Sequence, residues 1–377
     1  MMKRYLGLTL GVSMLTCASL AGAASQSPQQ ATRPAEADLP FGNSASGGYR
    51  HELQLAQNDA NGNATANPAS SDKCARMQND FDIDLHELVK AGCQPSQAQI
   101  AKLMDNPVGN LVILFNQFDY TALKGPNSGG THYMGKYSFM PTFPTELGED
   151  WNMIHRIPIS YTDAPVNKDF GDLAGMGPDT IIHSPELPGL LENPYDRTHG
   201  MGDLGYVGLA SPKAPIKLAN GAKLVWGVGG TALFPTAEYD VLGQGKYSVG
   251  PTAVVAYLGQ DWSLGVFPQH WWSVAGDDDR DDVSLTNIQY FIVHNIPGDA
   301  QWRVGMTPNV TVNWKATSDN KVTFPVGLGI SRLFKFGQLP VRLGAEVQYS
   351  AIHPEDQLGS RWNFRLIFVP VIPTFMF

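Results

Sequence analysis

The sequence holds few of the parts that catalysis, metal binding or helical membrane crossing require. Past its first twenty residues no apolar stretch approaches the ~18 residues of a spanning helix. Its three cysteines are Cys17, Cys74 and Cys93. No second Cys or His pair stands at metal-ligand spacing, so no metal site and no cofactor are expected. Charged residues make up 16% of the chain and the formal net charge is −9, which argues against nucleic acid as a partner. Gly227, Gly229 and Gly230 are not followed by Gly-Lys-Ser/Thr, so they form no phosphate loop. They read instead as small residues where strands bend or crowd. His270 and Ser273 lie three apart at a strand end, so their side chains leave on opposite faces. His132, His155 and His294 lack a serine partner, and no enzyme is expected.

What the sequence does hold begins with an export signal. Lys3 and Arg4 precede an apolar run from Tyr5 to about Leu20, and Ala21-Gly22-Ala23 gives a small-x-small cleavage pattern. Residues 1–23 read as a signal peptide. Residues 24–72 are rich in Gln, Asn, Ala, Ser and Pro and read as a flexible linker. In 73–108, Asp82 to Ala91 and Ser96 to Met104 look helical, and Pro107 stops the second helix. Two cysteines left in an oxidising compartment are expected to pair, Cys74 with Cys93, and to staple this small unit. A cap, a plug and a spacer are equally open roles for it.

From residue 109 onward, period-two alternation recurs. In QLPVRLGAEVQYSAI (338–352) the odd positions are apolar, while the even ones carry Arg342, Glu346 and Gln348. In 300–315, Trp302, Val304 and Val310 oppose Arg303, Thr307 and Asn309. Twelve strands are expected, at 110–120, 131–143, 150–162, 202–211, 222–236, 246–258, 261–273, 284–296, 300–315, 320–334, 338–352 and 360–372. The patterns at 202–211 and 284–296 are mixed. Connections alternate short and long, with 212–221 as the exception and 163–201 the longest, and Trp151, Tyr161, Trp262, Trp272, Trp302, Trp314 and Trp362 sit near strand ends. Short inner turns, long outer loops and aromatic girdles are the marks of a transmembrane antiparallel β-barrel. The expected fold class is therefore all-β, a barrel of about twelve strands over 109–377 with a short helical N-terminal segment, in the outer membrane of a Gram-negative bacterium.

Three stretches, NPVGNLVILFNQFDY (106–120), LVWGVGGTALFPTA (224–237) and WSVAGDDDRDDV (272–283), resemble a family of proteobacterial outer-membrane transporters named for the meta-pathway of phenol degradation. The last stretch is the most specific, and the resemblance spans about 106 to 373. It implies a channel-like protein and supplies no catalytic residues. The arm at 24–72 and the final Thr-Phe-Met-Phe depart from it.

The alternation assigns Lys136, Arg156, Lys223, Lys246, Arg303, Arg342, Arg361 and Arg365 to the lumen, against few acids, namely Glu346 and Asp203. A basic wall of this kind favours small anions such as aromatic carboxylates; the competing arrangement pairs these charges with one another or with an internal plug. Asp277, Asp278, Asp279, Asp281 and Asp282 crowd one outside loop, where they could hold a divalent cation or stand solvated with Arg280. Expected partners are outer-membrane lipid and lipopolysaccharide, a small-molecule solute, and the barrel-assembly machinery. That machinery reads a terminal aromatic such as Phe377, whose odd number conflicts with a lipid face on even numbers. Either a bulge near Pro370 or a tail at 373–377 would reconcile the two. The function expected is passive passage of small, aromatic or anionic solutes. An adhesive surface barrel with 163–201 as binding loop and an outer-membrane phospholipase are the alternatives.

Overall fold

The computed structural model describes residues 73–77, 88, 90–93, 95–126, 128–173, 176, 178–296, 299, 301–337 and 339–373. The signal peptide, the linker and Phe377 lie outside the described residues, as does most of the helix expected over 82–91.

Twelve antiparallel strands form one closed sheet. They are β1 (Leu111–Lys124), β2 (His132–Glu146), β3 (Trp151–Arg156 and Ile159–Ala164), β4 (Thr198–Met201 and Leu204–Pro212), β5 (Lys223–Phe234) and β6 (Lys246–Leu258). Then follow β7 (Trp262–Gly276), β8 (Ser284–Asn295), β9 (Trp302–Met306 and Asn309–Asn313), β10 (Val322–Phe336), β11 (Leu339–Ile352) and β12 (Gly359–Pro373). Each strand pairs with the next in sequence, and β12 returns to pair with β1, so no sheet edge is left open. The three interruptions, at Ile157-Pro158, Gly202-Asp203 and Thr307-Pro308, split strands without breaking the order. Pro removes a ladder donor and explains two of them. The β1–β12 register keeps one offset from Leu111↔Pro373 to Ala122↔Trp362, on both sides of a gap in pairing at Leu114 and Phe115, so no residue is inserted near Pro370.

The two faces of the sheet are inverted relative to a water-soluble barrel. On the outside, Val326, Leu328, Ile330, Val347, Tyr349, Trp362, Phe364, Leu366 and Phe368 are exposed. On the inside, Gln117, Asp119, Thr121, Glu346, Gln348, Asn363 and Arg365 are buried. Trp151, Tyr161, Trp262, Trp272, Trp314 and Trp362 are exposed near strand ends, as interfacial girdles require. An apolar outer belt on a strand-closed cylinder satisfies every backbone group within the sheet and faces hydrocarbon. The protein is an outer-membrane β-barrel; the short 147–150 and 259–261 turns mark the periplasmic end, although the 213–222 connection at the same end is longer. Leu328 stands 67% exposed in the middle of β10. Leu328→Arg should destabilise the barrel in vesicles by ~2–4 kcal/mol, read as a lowered denaturant midpoint, because a cation there has no water to solvate it.

Candidate functional site: a stoppered lumen

Ser96 starts a short helix, α1 (Gln97–Leu103), through a capping box. The Ser96 Oγ accepts from Gln99 N at 3.2 Å, and Gln99 Oε1 accepts from Ser96 N at 2.9 Å. Past the helix, Asn106 Oδ1 accepts from Val108 N at 3.1 Å and turns the chain toward β1. Ile100, Ala101 and Met104 share the packed face of α1. They rest against Leu111, Leu333, Val369 and Val371, which line the inner wall at the periplasmic end. Val108 continues across the lumen into a second apolar cluster with Ile154, Val207, Leu209, Val225, Val254, Ala256, Leu258 and Phe267. Of the segment 73–108, the stretch from Ile100 to Val108 thus packs against the inner wall at that end of the barrel.

Asp105 ties this stopper to the wall. It forms ion pairs with Arg303 on β9 and with Arg342 on β11, the second at 3.3 Å, and accepts from Ser263 Oγ of β7 at 2.9 Å. The side chains of Arg303 and Asp105 are only 3% and 6% exposed, so the pair is desolvated. Both guanidiniums also donate to the Ala101 carbonyl at the end of α1, where the helix leaves its carbonyls unpaired and favours cations. Cys74 and Cys93 are joined in a disulfide, with Cα atoms 5.3 Å apart, on the chain leading into α1.

Above the stopper, one wall of the lumen is a polar network. Asp119 accepts from Arg365 Nε at 2.8 Å, from Asn363 Nδ2 at 2.7 Å and from Gln117. Glu346 accepts from Thr307 N at 2.9 Å, from Thr307 Oγ1 at 2.8 Å and from Gln348 Nε2 at 2.9 Å. Arg365 also reaches the Thr307 carbonyl, at 2.9 Å, and so links the two carboxylates. At the outer mouth, Val166, Leu242 and Leu358 from three different loops pack on Leu123, Met134 and Ala164.

The basic residues assigned to the lumen face inward but do not make one uncompensated wall. Arg303 and Arg342 are paired with Asp105, and Arg365 with Asp119. The sequence reading missed both acids. Asp119 was legible, because β1 alternates and places it with Gln117 and Thr121. Asp105 was not, because it lies on no strand. Lys136 and Lys246 are buried in the inner wall; Lys223 stands at the periplasmic start of β5, and Arg361 lies on the inward face of β12. Asp203 sits at the break in β4, where its carboxylate accepts from Ala237 N at 3.2 Å and Gln244 N at 2.7 Å.

The acidic stretch forms the β7–β8 loop. Asp282 meets Lys315 at 3.2 Å, which holds its carboxyl below the usual range, and Asp277 accepts from Asp279 N at 2.9 Å. Arg280 does not pair with these carboxylates; it donates to the Asp240 and Gly243 carbonyls of the β5–β6 loop. Among the described residues no three His, Cys, Asp or Glu side chains converge to hold a metal. His270 and Ser273 do diverge. His270 Nδ1 instead meets the Thr286 hydroxyl at 2.7 Å, and that hydroxyl accepts from Trp314 Nε1 at 2.8 Å. The imidazole also lies against the Trp272 ring, centroids 4.1 Å apart, and its Nε2 has no hydrogen-bond partner among the described residues.

No protein-family model and no curated protein matches the sequence. Among solved structures, an outer-membrane channel from Pseudomonas putida F1 is similar at 14% identity and a TM-score of 0.45, over 69% of this chain and 93% of that one. The outer-membrane phospholipase A of Escherichia coli is similar at 12% identity and a TM-score of 0.35, over 72% and 98%. The CymD monoaromatic hydrocarbon channel is similar at 9% identity and a TM-score of 0.31, over 73% and 90%.

Proposed function

We propose that the protein is a passive outer-membrane channel for small organic solutes, aromatic or anionic, kept shut at its periplasmic end by residues 97–108. One observation carries this reading. A separate segment of chain, held by a buried ion pair, packs against the inner wall at one end of the lumen. A barrel with a purely structural task could fill that end with strand side chains alone, as small barrels do. No nucleotide-binding loop is present in the sequence, so a concentration gradient drives flow. The resemblance to the phenol meta-pathway transporters points to aromatic solutes, and the inward basic residues to anions.

Liposome swelling and planar-bilayer conductance with solutes graded in size and charge test the proposal. The wild type should pass small aromatics at a low rate, and a variant lacking 73–105 should pass them much faster. A truncated barrel that folds and still passes nothing would overturn the channel reading.

A further inference from the structure

We infer that Arg156 is an anion-binding station inside the lumen and that it takes a small monocarboxylate on a flat apolar body. The inference deepens the channel reading and rests on it for access to the lumen.

Arg156 lies at the inner face of β3, just before the Ile157-Pro158 break. Its Nε donates to Thr142 Oγ1 at 3.3 Å, and its guanidinium carbon stands 5.2 Å from the Phe267 ring centroid. Ile154, Val207, Leu209 and Val254 complete its surroundings. Arg303, Arg342 and Arg365 each have a carboxylate; Arg156 is paired with none among the described residues. A guanidinium set among apolar side chains is costly unless an anion neutralises it. Its planar fork matches a carboxylate with two parallel hydrogen bonds. Phe267 covers one face of the fork and Thr142 takes Nε, which leaves the Nη edge for the ligand. The apolar walls select the rest of the molecule. They reward burial of a hydrocarbon ring and offer no donors for the remaining charge of a dianion such as phosphate.

Pro107 of the stopper forms another side of this cavity. With Pro107 in place, the space beside Arg156 is only water-sized. A ring therefore enters only when the segment around Pro107 withdraws, and Asp105 two residues upstream is what holds that segment. Ligand and stopper compete for one place, so apparent affinity falls by the fraction of molecules that are closed. Loosening the Asp105 pair must raise affinity without touching Arg156.

The test is equilibrium dialysis of labelled benzoate against the purified full chain in detergent, with benzyl alcohol and inorganic phosphate as the other probes. Heat-modifiable gel mobility confirms that each variant is a folded barrel. Benzoate should bind wild type, and Asp105→Asn should bind it at least about tenfold more tightly, since the closed fraction drops. Arg156→Gln should weaken benzoate by about tenfold or more while leaving benzyl alcohol within about twofold, because only the carboxylate needs the fork. Arg156→Lys, which keeps charge and volume, should weaken benzoate less than Arg156→Gln, and it replaces that variant if Gln prevents folding. Benzoate affinity unchanged in both Arg156 variants, no benzoate binding to wild type or to Asp105→Asn, or tighter phosphate than benzoate binding would each overturn the assignment. Dialysis needs no flow. Arg156-dependent binding with no flux in liposomes would therefore support the site while overturning the channel reading. Flux of neutral solutes without benzoate binding would do the reverse.

Discussion

Asp105→Asn should convert a closed barrel into a conducting one. The carboxylate is shared by two arginines, and the amide that replaces it leaves both guanidiniums buried without a counter-charge. Breaking one side of a buried pair costs ~3–5 kcal/mol. A tenfold change takes about 1.4 kcal/mol, so the closed-to-open ratio should fall on the order of a hundred- to a thousandfold. The cost lands on the stopper and not on the barrel, because the β9 and β11 ladders do not pass through Asp105. In planar bilayers the variant should show long-lived open levels where the wild type is mostly silent. Replacing all three charges at once, Asp105→Leu with Arg303→Met and Arg342→Met, should stay closed. Apolar groups of similar volume can stand in for a buried triad with little loss of stability. A silent Asp105→Asn trace would show that the apolar contacts of Ile100 and Met104 hold the stopper without help from charge, whereas an open triple variant would show that those contacts do not suffice once the charges are gone.

A second large effect is expected where the barrel closes on itself. Asp119 on β1 stands directly opposite Arg365 on β12, the strand pair that joins the two ends of the sheet. The two side chains are 3% and 6% exposed. Asp119→Ala removes the acceptor for Arg365, Asn363 and Gln117 together, so it should cost ~3–5 kcal/mol of barrel stability. Unfolding in detergent by guanidinium, followed by tryptophan fluorescence, should show a midpoint well below wild type with little change in single-channel level. Asp119→Asn should fall in between, since it keeps an acceptor for Asn363 and loses only the charge. A wild-type midpoint for Asp119→Ala would mean that the network fills the wall without stabilising its seam. Because this variant weakens the cylinder and Asp105→Asn weakens only the plug, the two measurements should separate, with stability moved by one and conductance by the other.

The barrel itself was legible in the sequence. Period-two alternation, strand lengths beyond the ~9–11 residues of a membrane crossing and alternating loop lengths gave twelve strands in the order observed, because each signal is local. Where alternation blurred, at 202–211 and 284–296, the structure supplies the cause. Val207 and Leu209 face inward against Val108, and Phe291 packs on the same cluster, so the inner face there is apolar too. A second apolar face erases the two-residue signal without any change of strand. The breaks at Ile157-Pro158 and Thr307-Pro308 carried their mark, a proline without a ladder donor, but the break at Gly202-Asp203 did not.

The sequence by itself determined that this chain is a cylinder with a greasy outside and a polar inside, since side-chain direction on a strand follows from residue parity alone. Only the tertiary structure decided what each inward charge meets. Asp105 finds Arg303 and Arg342 across about 200 and 240 residues of chain, and no spacing rule reaches that far. The difference between a wall of free cations and a latched stopper with Arg156 unpaired beside it therefore lies in how the ends of distant strands are brought around a single short helix.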